Sequence, residues 1–300
     1  MKIAVLLAAY NGERYIREQV ESLLKQTVPF DLYIHDDGSS DKTWEIVQEF
    51  AAENENIHAS RADVNSGSAW GAFFQLISTV SGYDYYFLCD QDDVWFSDKI
   101  ERSVKAMRDD VPMLIHTDLV VADSELNVVA PSYRKLMAGD FCRVALRNLV
   151  VQNIATGCTC VYNEKLREIV RLPEFCVMHD WWLAIVASAF GCLWHISEPT
   201  AMYRQHEDNS IGAADVRSLR FKVHNLFHNE KIKAAMAGSY RQAAEFARLY
   251  NDIMDEEQRA LVWGYAATAD KRKLGRAMNV LRLGTLKTGV ARKMAQLMYG

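Results

Sequence analysis

The first hundred residues alternate between short apolar runs and longer amphipathic stretches, and that alternation restricts the fold more than any single residue does. IAVLLAA (3–9) is a continuous apolar run of strand length, and residues 13–26 carry Ile16, Val20, Leu23 and Leu24 at helical spacing. DLYIHD (31–36) reads as the next strand, followed by a helix that Ser39 or Ser40 caps and that runs through Trp44, Ile46, Val47 and Phe50. A weak strand at 57–60, a helix at 68–80, a strand at 85–89 and a helix at 98–107 continue the pattern. Strands alternating with helices predict an α/β fold with a mostly parallel sheet covered on both faces. Half of the 300 residues are hydrophobic, enough for a core without disulfides or a structural metal.

From Met113 the pattern becomes mixed. Residues 113–123, 127–133, 157–162, 192–196 and 201–203 read as strands, 141–150 and 179–190 as helices, and the chain beyond Ala214 as almost wholly helical. The six cysteines are scattered without a CxxC pair, which points to free thiols in a reducing cytoplasm. The first eight residues resemble a signal peptide, but Asn11-Gly12-Glu13 then supplies turn chemistry instead of a cleavage site. No apolar run reaches the roughly 18–20 residues that span a bilayer. The chain is therefore expected to be soluble or at most peripheral.

In sheets of this kind, ligands bind beyond the carboxyl ends of the strands. Three polar clusters follow such ends here: Tyr10-Asn11-Gly12, Asp36-Asp37-Gly38-Ser39 and Asp90-Gln91-Asp92-Asp93. All three should converge on one edge. Three carboxylates in the last cluster, with no evident lysine beside them, repel one another unless a cation lies between them. Oxygen donors in a short loop suit Mg2+ or Mn2+, ions that share their shell with phosphate oxygens. The alternative is a solvated acidic turn ahead of a helix cap. For Asp36-Asp37-Gly38, acceptance from a base imide or a ribose hydroxyl stands beside an ordinary turn, with Gly38 permitting a positive φ.

Taken together, AAYNGERYI, IHDDGSSD and CDQDDVW resemble, in order and spacing, the donor-site motifs of inverting family 2 glycosyltransferases with the GT-A fold, a Rossmann-like α/β arrangement. With the later YRQH they look most like the bacterial rhamnosyltransferase branch. The resemblance covers residues 1–210 or so and implies a GT-A domain at 1–214, its nucleotide-binding part at 1–112 and its acceptor part at 113–214, with a helical region at 215–300. It also implies residue roles. Ala8, Tyr10 and Asn11 border the nucleotide and Asp37 accepts from the base; Asn65 and Gly67 lie near the donor. Asp93 is the principal metal ligand, Asp92 lies by the ribose or the metal, and Asp90 braces the loop. An arginine that the family often carries a few positions after Gly67 is absent, with Trp70 and Phe73 nearby instead. Asp180 in HDWW matches the base that takes the acceptor proton, with His179 where a glutamate is common. His206 completes the metal shell or is structural, and Arg204 is within reach of a phosphate. Thr156, Gly157 and one of Trp181 and Trp182 are candidates for the acceptor side.

The implied reaction moves a sugar, rhamnose from dTDP-rhamnose, to a saccharide acceptor of cell-surface polysaccharide such as O-antigen or capsule. A UDP-hexose donor is the alternative, as is a subunit that binds a nucleotide-sugar without turnover. A nucleotidyltransferase would need a glycine-rich basic loop after the first strand, and AAYNGERYI is not one. Residues 271–300 carry eight lysines and arginines and no acid, so the net −5 of the chain leaves the remainder at −13. Leu274, Ala277, Met278, Leu281, Val290, Met294, Leu297 and Met298 recur among those cations at helical spacing. That pattern suits an anionic membrane surface, or a stripe packed on the preceding helices. Nucleic acid is disfavoured because stacking aromatics are nearly absent from the tail. A cytoplasmic enzyme, peripheral on the inner face of the plasma membrane and acting on a lipid-linked acceptor, fits the whole.

Overall fold

The structure is a computed structural model that describes residues 1–137, 144–206 and 229–299. Its first half follows the expected alternation: β1 (Ile3–Ala9), α1 (Ile16–Leu23), β2 (Asp31–Asp36), α2 (Thr43–Glu53), β3 (Ile57–Arg61), α3 (Ala69–Thr79), β4 (Tyr85–Cys89), β5 (Val94–Trp95) and α4 (Lys99–Lys105). There follow β6 (Met113–Ala122), β7 (Val128–Ala130), α5 (Tyr133–Met137), α6 (Leu146–Leu149), β8 (Val161–Asn163), α7 (Glu164–Ile169), α8 (His179–Phe190) and β9 (Cys192–Arg204). Among the described residues four helices follow, α9 (Asn229–Tyr250), α10 (Glu256–Ala266), α11 (Lys273–Leu283) and α12 (Val290–Tyr299).

The nine strands form one sheet in the order β3-β2-β1-β4-β8-β6-β9-β5, with β7 beside β6. β3, β2, β1 and β4 are mutually parallel, which brings their carboxyl ends to one edge. The second half is mixed: β8 runs antiparallel to β4 and β6, while β6 and β9 are parallel. Apolar residues that alternate along β1, among them Ile3, Val5 and Leu7, join Ile16, Val20 and Leu23 of α1 in one buried cluster. The intervening Ala4 and Leu6 are also buried, so both faces of the central strand are covered, as a continuous apolar run requires.

Several elements differ from expectation for local reasons. α1 begins at Ile16, not near 13, because Asn11 takes a positive φ of 46° and the amides of Tyr15 and Ile16 both turn back to the Gly12 carbonyl. α2 begins at Thr43, whose amide bonds to Asp41, because Ser39 is spent on the Asp36 carboxylate. Two short strands at 192–196 and 201–203 are one strand: Thr117 pairs with Ile196 but Asp118 with Pro199, so Ser197 and Glu198 are taken up as a bulge. Gly157–Thr159 is a short 3-10 turn ahead of β8 instead of part of it. The expected helix at 141–150 is described only from Leu146, and its start at Phe141, Cys142 and the boundary at 214 lie outside the described residues. The five described cysteines are free.

The chain forms two compact units, and they are not linear in sequence. One unit comprises 1–133, 155–169 and 192–213 and contains the sheet; the other comprises 134–154, 170–191 and 214–300. α8 thus belongs with the C-terminal helices, where Trp182 lies edge-on to Phe246 at 5.7 Å and Phe190 meets Tyr250 at 5.2 Å. Asp255 and Gln258 form a reciprocal cap at the start of α10. Leu7, fully buried between α1 and β4, tests the sheet core. Leu7→Ala should lower the unfolding free energy by about 2–5 kcal/mol, read as an earlier denaturant midpoint at unchanged slope.

Candidate active site

The three polar clusters meet where the parallel ladder ends. The Asp37 amide bonds to the Ala9 carbonyl at 2.8 Å, and the Asn11 amide reaches Ser39 Oγ at 2.9 Å. Asn11 Oδ1 in turn accepts from the Ser40 amide at 2.9 Å, tying the first cluster to the second. The third is tied by Gln91, which sequence reasoning passed over. Its carboxamide accepts from the Tyr10 amide at 2.8 Å and donates to the Tyr10 carbonyl at 2.9 Å. A Cβ on Gly12 would stand 2.2 Å from Gln91 Oε1, so the clasp needs glycine there. The Tyr10 side chain stays exposed, while Ala8 is half-buried on the strand.

Asp36 and Asp37 divide their work. Asp36 is fully buried against Arg61, with Nε at 2.9 Å. Asp37 accepts from the Ser66 amide at 3.0 Å, Ser66 Oγ at 2.8 Å and Asn65 Nδ2 at 3.1 Å. A carboxylate has about four lone-pair sites, so one remains for an outside donor. Asn65 acts here as a support of Asp37, and exposed Gly67 gives the same loop its positive φ of 77°.

In the acidic loop Asp92 and Asp93 lie in unlike surroundings. Asp93 is fully buried; its Oδ1 accepts from the Arg204 amide at 3.2 Å, and its Oδ2 has no hydrogen-bond partner among the described residues. Burial, then the neighbouring Asp92 charge, push its carboxyl up to about 7, against the weaker pulls of the Cys158 thiol, the Arg204 amide and Lys99. Asp92 is partly exposed and its Oδ2 lies 2.9 Å from His206 Nε2, with the Tyr15 ring 4.6 Å from the imidazole. A lysine does lie in the same unit, contrary to expectation: Lys99 is fully buried, its ammonium 2.6 Å from the Cys158 carbonyl and 4.2 Å over the Trp95 ring. Arg204 is also a correction. It is 3% exposed, and its guanidinium bonds to the Asp92 and Ser124 carbonyls and to Glu18, which makes it a brace and takes it away from phosphate.

The donor set fits a divalent cation. Asp92 and His206 offer a carboxylate and an imidazole at one point, and Asp93 adds a buried oxygen without a hydrogen bond. Asp90, Asp93 and Cys158 also bring potential ligand atoms within 4.8 Å of one another. Burial pushes the Cys158 thiol well up, however, and a protonated thiol is a poor ligand for a hard ion.

In the second unit, Asp180 opens α8, buried, with Oδ1 accepting from Asn153 Nδ2 at 3.0 Å and from the Trp181 amide. The adjacent tryptophans, of which one is expected to pack and the other to face the acceptor, share one kind of surrounding. Both are buried, with indole nitrogens on the Leu149 and Arg171 carbonyls respectively. His179, where a glutamate is common, is buried too. Thr156 is half-buried and Gly157 buried, in the sheet unit.

The sequence model described as "Glycosyl transferase family 2" matches residues 4–170. A dTDP-rhamnosyl transferase RfbG of Shigella flexneri is 30% identical over 75% of this chain and 80% of its own length. The putative teichuronic acid biosynthesis glycosyltransferase TuaG of Bacillus subtilis is 34% identical over 70% and 81%. Among solved structures, S. aureus TarS 1–349 in complex with UDP-GlcNAc superposes with a TM-score of 0.60 at 16% identity, over 94% of this chain and 80% of that one. The mannosyltransferase PcManGT of Pyrobaculum calidifontis, in complex with GDP-Man and Mn2+, gives 0.54 at 14% identity over 99% and 84%. The fold is therefore that of these glycosyltransferases.

Burial pushes the His179 imidazole down to about 3, so in the folded chain it stays neutral while the unfolded chain takes up a proton below about 6.5. Stability conferred by the neutral ring is whole above pH 6.5 and is lost as pH falls, by about 1.4 kcal/mol per pH unit. Asp93, displaced upward, gives a slope of the opposite sign over part of the same range. Denaturant midpoints at successive pH values should therefore fall less steeply on acidification in His179→Met than in the parent. Equal slopes would remove His179 from the account.

Proposed function

The chain belongs to glycosyl transferase family 2, and from that premise we propose that it is an inverting, cation-dependent enzyme that moves a sugar from a nucleoside-diphosphate donor to a saccharide hydroxyl. The observation that carries this reading is the meeting of Asp92 with His206 beside the Tyr10 and Asp37 clusters. Rhamnose from dTDP-rhamnose is the proposed donor, supported by the relative named for that activity. The proposed acceptor is a growing cell-surface polysaccharide, lipid-linked and met at the inner face of the plasma membrane; the teichuronic acid relative supports it.

On this reading the exposed Tyr10 ring and Asn11 border the base, and the free lone pair of Asp37 accepts its imide proton while Asn65 and Ser66 hold the carboxylate still. Asp92 and His206 would hold Mg2+ or Mn2+, with Asp93 as a buried support instead of the leading ligand. Bound there, the ion would offset charge that grows on the departing diphosphate. Asp180 takes the proton from the acceptor hydroxyl, and Asn153 keeps its carboxylate oriented. A single base and a single displacement invert the sugar carbon.

Asp180→Asn should lower the transfer rate about 10²–10⁴-fold while nucleotide-sugar still raises the melting temperature. Asp92→Asn should lose the rate and also the cation-dependent part of that rise. A panel of nucleotide-sugars with Mg2+ or Mn2+, read by melting temperature and diphosphate release, should favour dTDP-rhamnose. A larger response to a UDP-hexose would replace the donor, and no response to any would defeat the reading.

A further inference from the structure

The last two helices bury Val280 and part of Leu283 and Leu297, yet each also leaves an apolar stripe facing outward. In α11, Asn279 is 6% exposed and donates to the Gly264 carbonyl at 2.7 Å and Thr268 Oγ1 at 2.8 Å. Leu274, Met278 and Leu281, spaced by four and three positions, are 75, 64 and 55% exposed. α12 repeats this. Gln296 turns inward to the Thr285 carbonyl and the Lys287 amide, both at 2.8 Å, while Val290, Met294 and Met298 face outward. A helix bound only to its own protein places apolar residues inside and polar ones outside. Here buried amides fix the helices to the unit, and six large apolar side chains are left without cover among the described residues.

The charge around these side chains chooses the cover. Lys271, Arg272, Lys273 and Arg282 are exposed beside the stripe on α11, and residues 271–299 contain no acid. We propose that α11 and α12 form a docking face for an anionic lipid bilayer, with Leu274, Met278, Leu281, Val290, Met294 and Met298 entering the headgroup boundary and the flanking cations meeting lipid phosphates. A second copy of the chain is a poor occupant, since a symmetric pair through this face would bring two sets of tail cations together. The acidic remainder of the chain, at −13, is repelled by the same surface, which leaves the basic tail as the end that approaches it. The inference deepens the membrane location proposed above and requires nothing of the transfer chemistry.

The test uses the full chain with vesicles of phosphatidylglycerol and phosphatidylethanolamine, against vesicles of phosphatidylcholine, at about 50 mM and about 500 mM salt. Co-sedimentation should be about tenfold or more stronger with the anionic vesicles, should weaken at high salt, and should be lost in Leu274→Ser/Met278→Ser/Met294→Ser. These positions are exposed, so the variant should keep the parent melting temperature and its transfer to a soluble acceptor. Equal binding to both vesicles, or undiminished binding by the variant, would overturn the proposal. A dimer in sedimentation velocity that the substitutions dissociate, with no vesicle binding, would overturn it in favour of a second copy. Absence of transfer by the parent chain, with its vesicle binding intact, would strike the reaction assigned above and uphold this face.

Discussion

The sheet unit depends on what holds five carboxylates, Asp36, Asp37, Asp90, Asp92 and Asp93, at one edge of it. Arg204, at the end of β9, is the central device: its amide serves Asp93, and its guanidinium spans the Asp92 carbonyl, the Ser124 carbonyl and Glu18 of α1. Residues more than a hundred positions apart in the chain are fixed by one side chain. Hydrogen bonds made by a charged group contribute about 1.5–3 kcal/mol each, so this brace outweighs most single contacts of the core. Lys99 adds positive charge from within the same unit, and Arg61 does likewise for Asp36. Buried Asp36 and Asp93 each have a cation close by, buried Asp37 is held by neutral donors, and the partly exposed Asp92 is left to act outward.

The alternation of strands and helices in residues 1–107 was legible because continuous apolar runs have few other uses in a chain of this composition. The convergence of the three polar clusters followed from the rule about parallel strand ends. Helix starts were not legible where side chains are committed elsewhere: Asn11 reads as a turn residue and Ser39 as a local cap, yet each bonds across 28 or 29 positions. β9 reads as two strands since a bulge at Pro199 looks like a break until β6 is placed beside it.

Within the site, the residue types were legible but their division of labour was not. Asp92 and Asp93 are adjacent and chemically identical, and only the return of β9, which ends at Arg204 with His206 just beyond, buries one and leaves the other accessible. Lys99 follows Asp98 at the head of a helix, and its burial against Trp95 and Cys158 is a tertiary fact. The two tryptophans after Asp180 were expected to differ, but each indole found a carbonyl inside the second unit.

Gln91 closes the ladder between β1 and β4 in an unusual manner. Backbone pairing runs as far as Leu7 and Cys89, and beyond it the carboxamide of Gln91 stands in for a peptide group, giving and taking one hydrogen bond with Tyr10. The sheet thus gains one more rung built from a side chain, reached from a strand that has already turned away. Two backbones can then diverge into a cleft while their loops stay in register, a separation that an ordinary rung, made of main chain on both sides, would not permit.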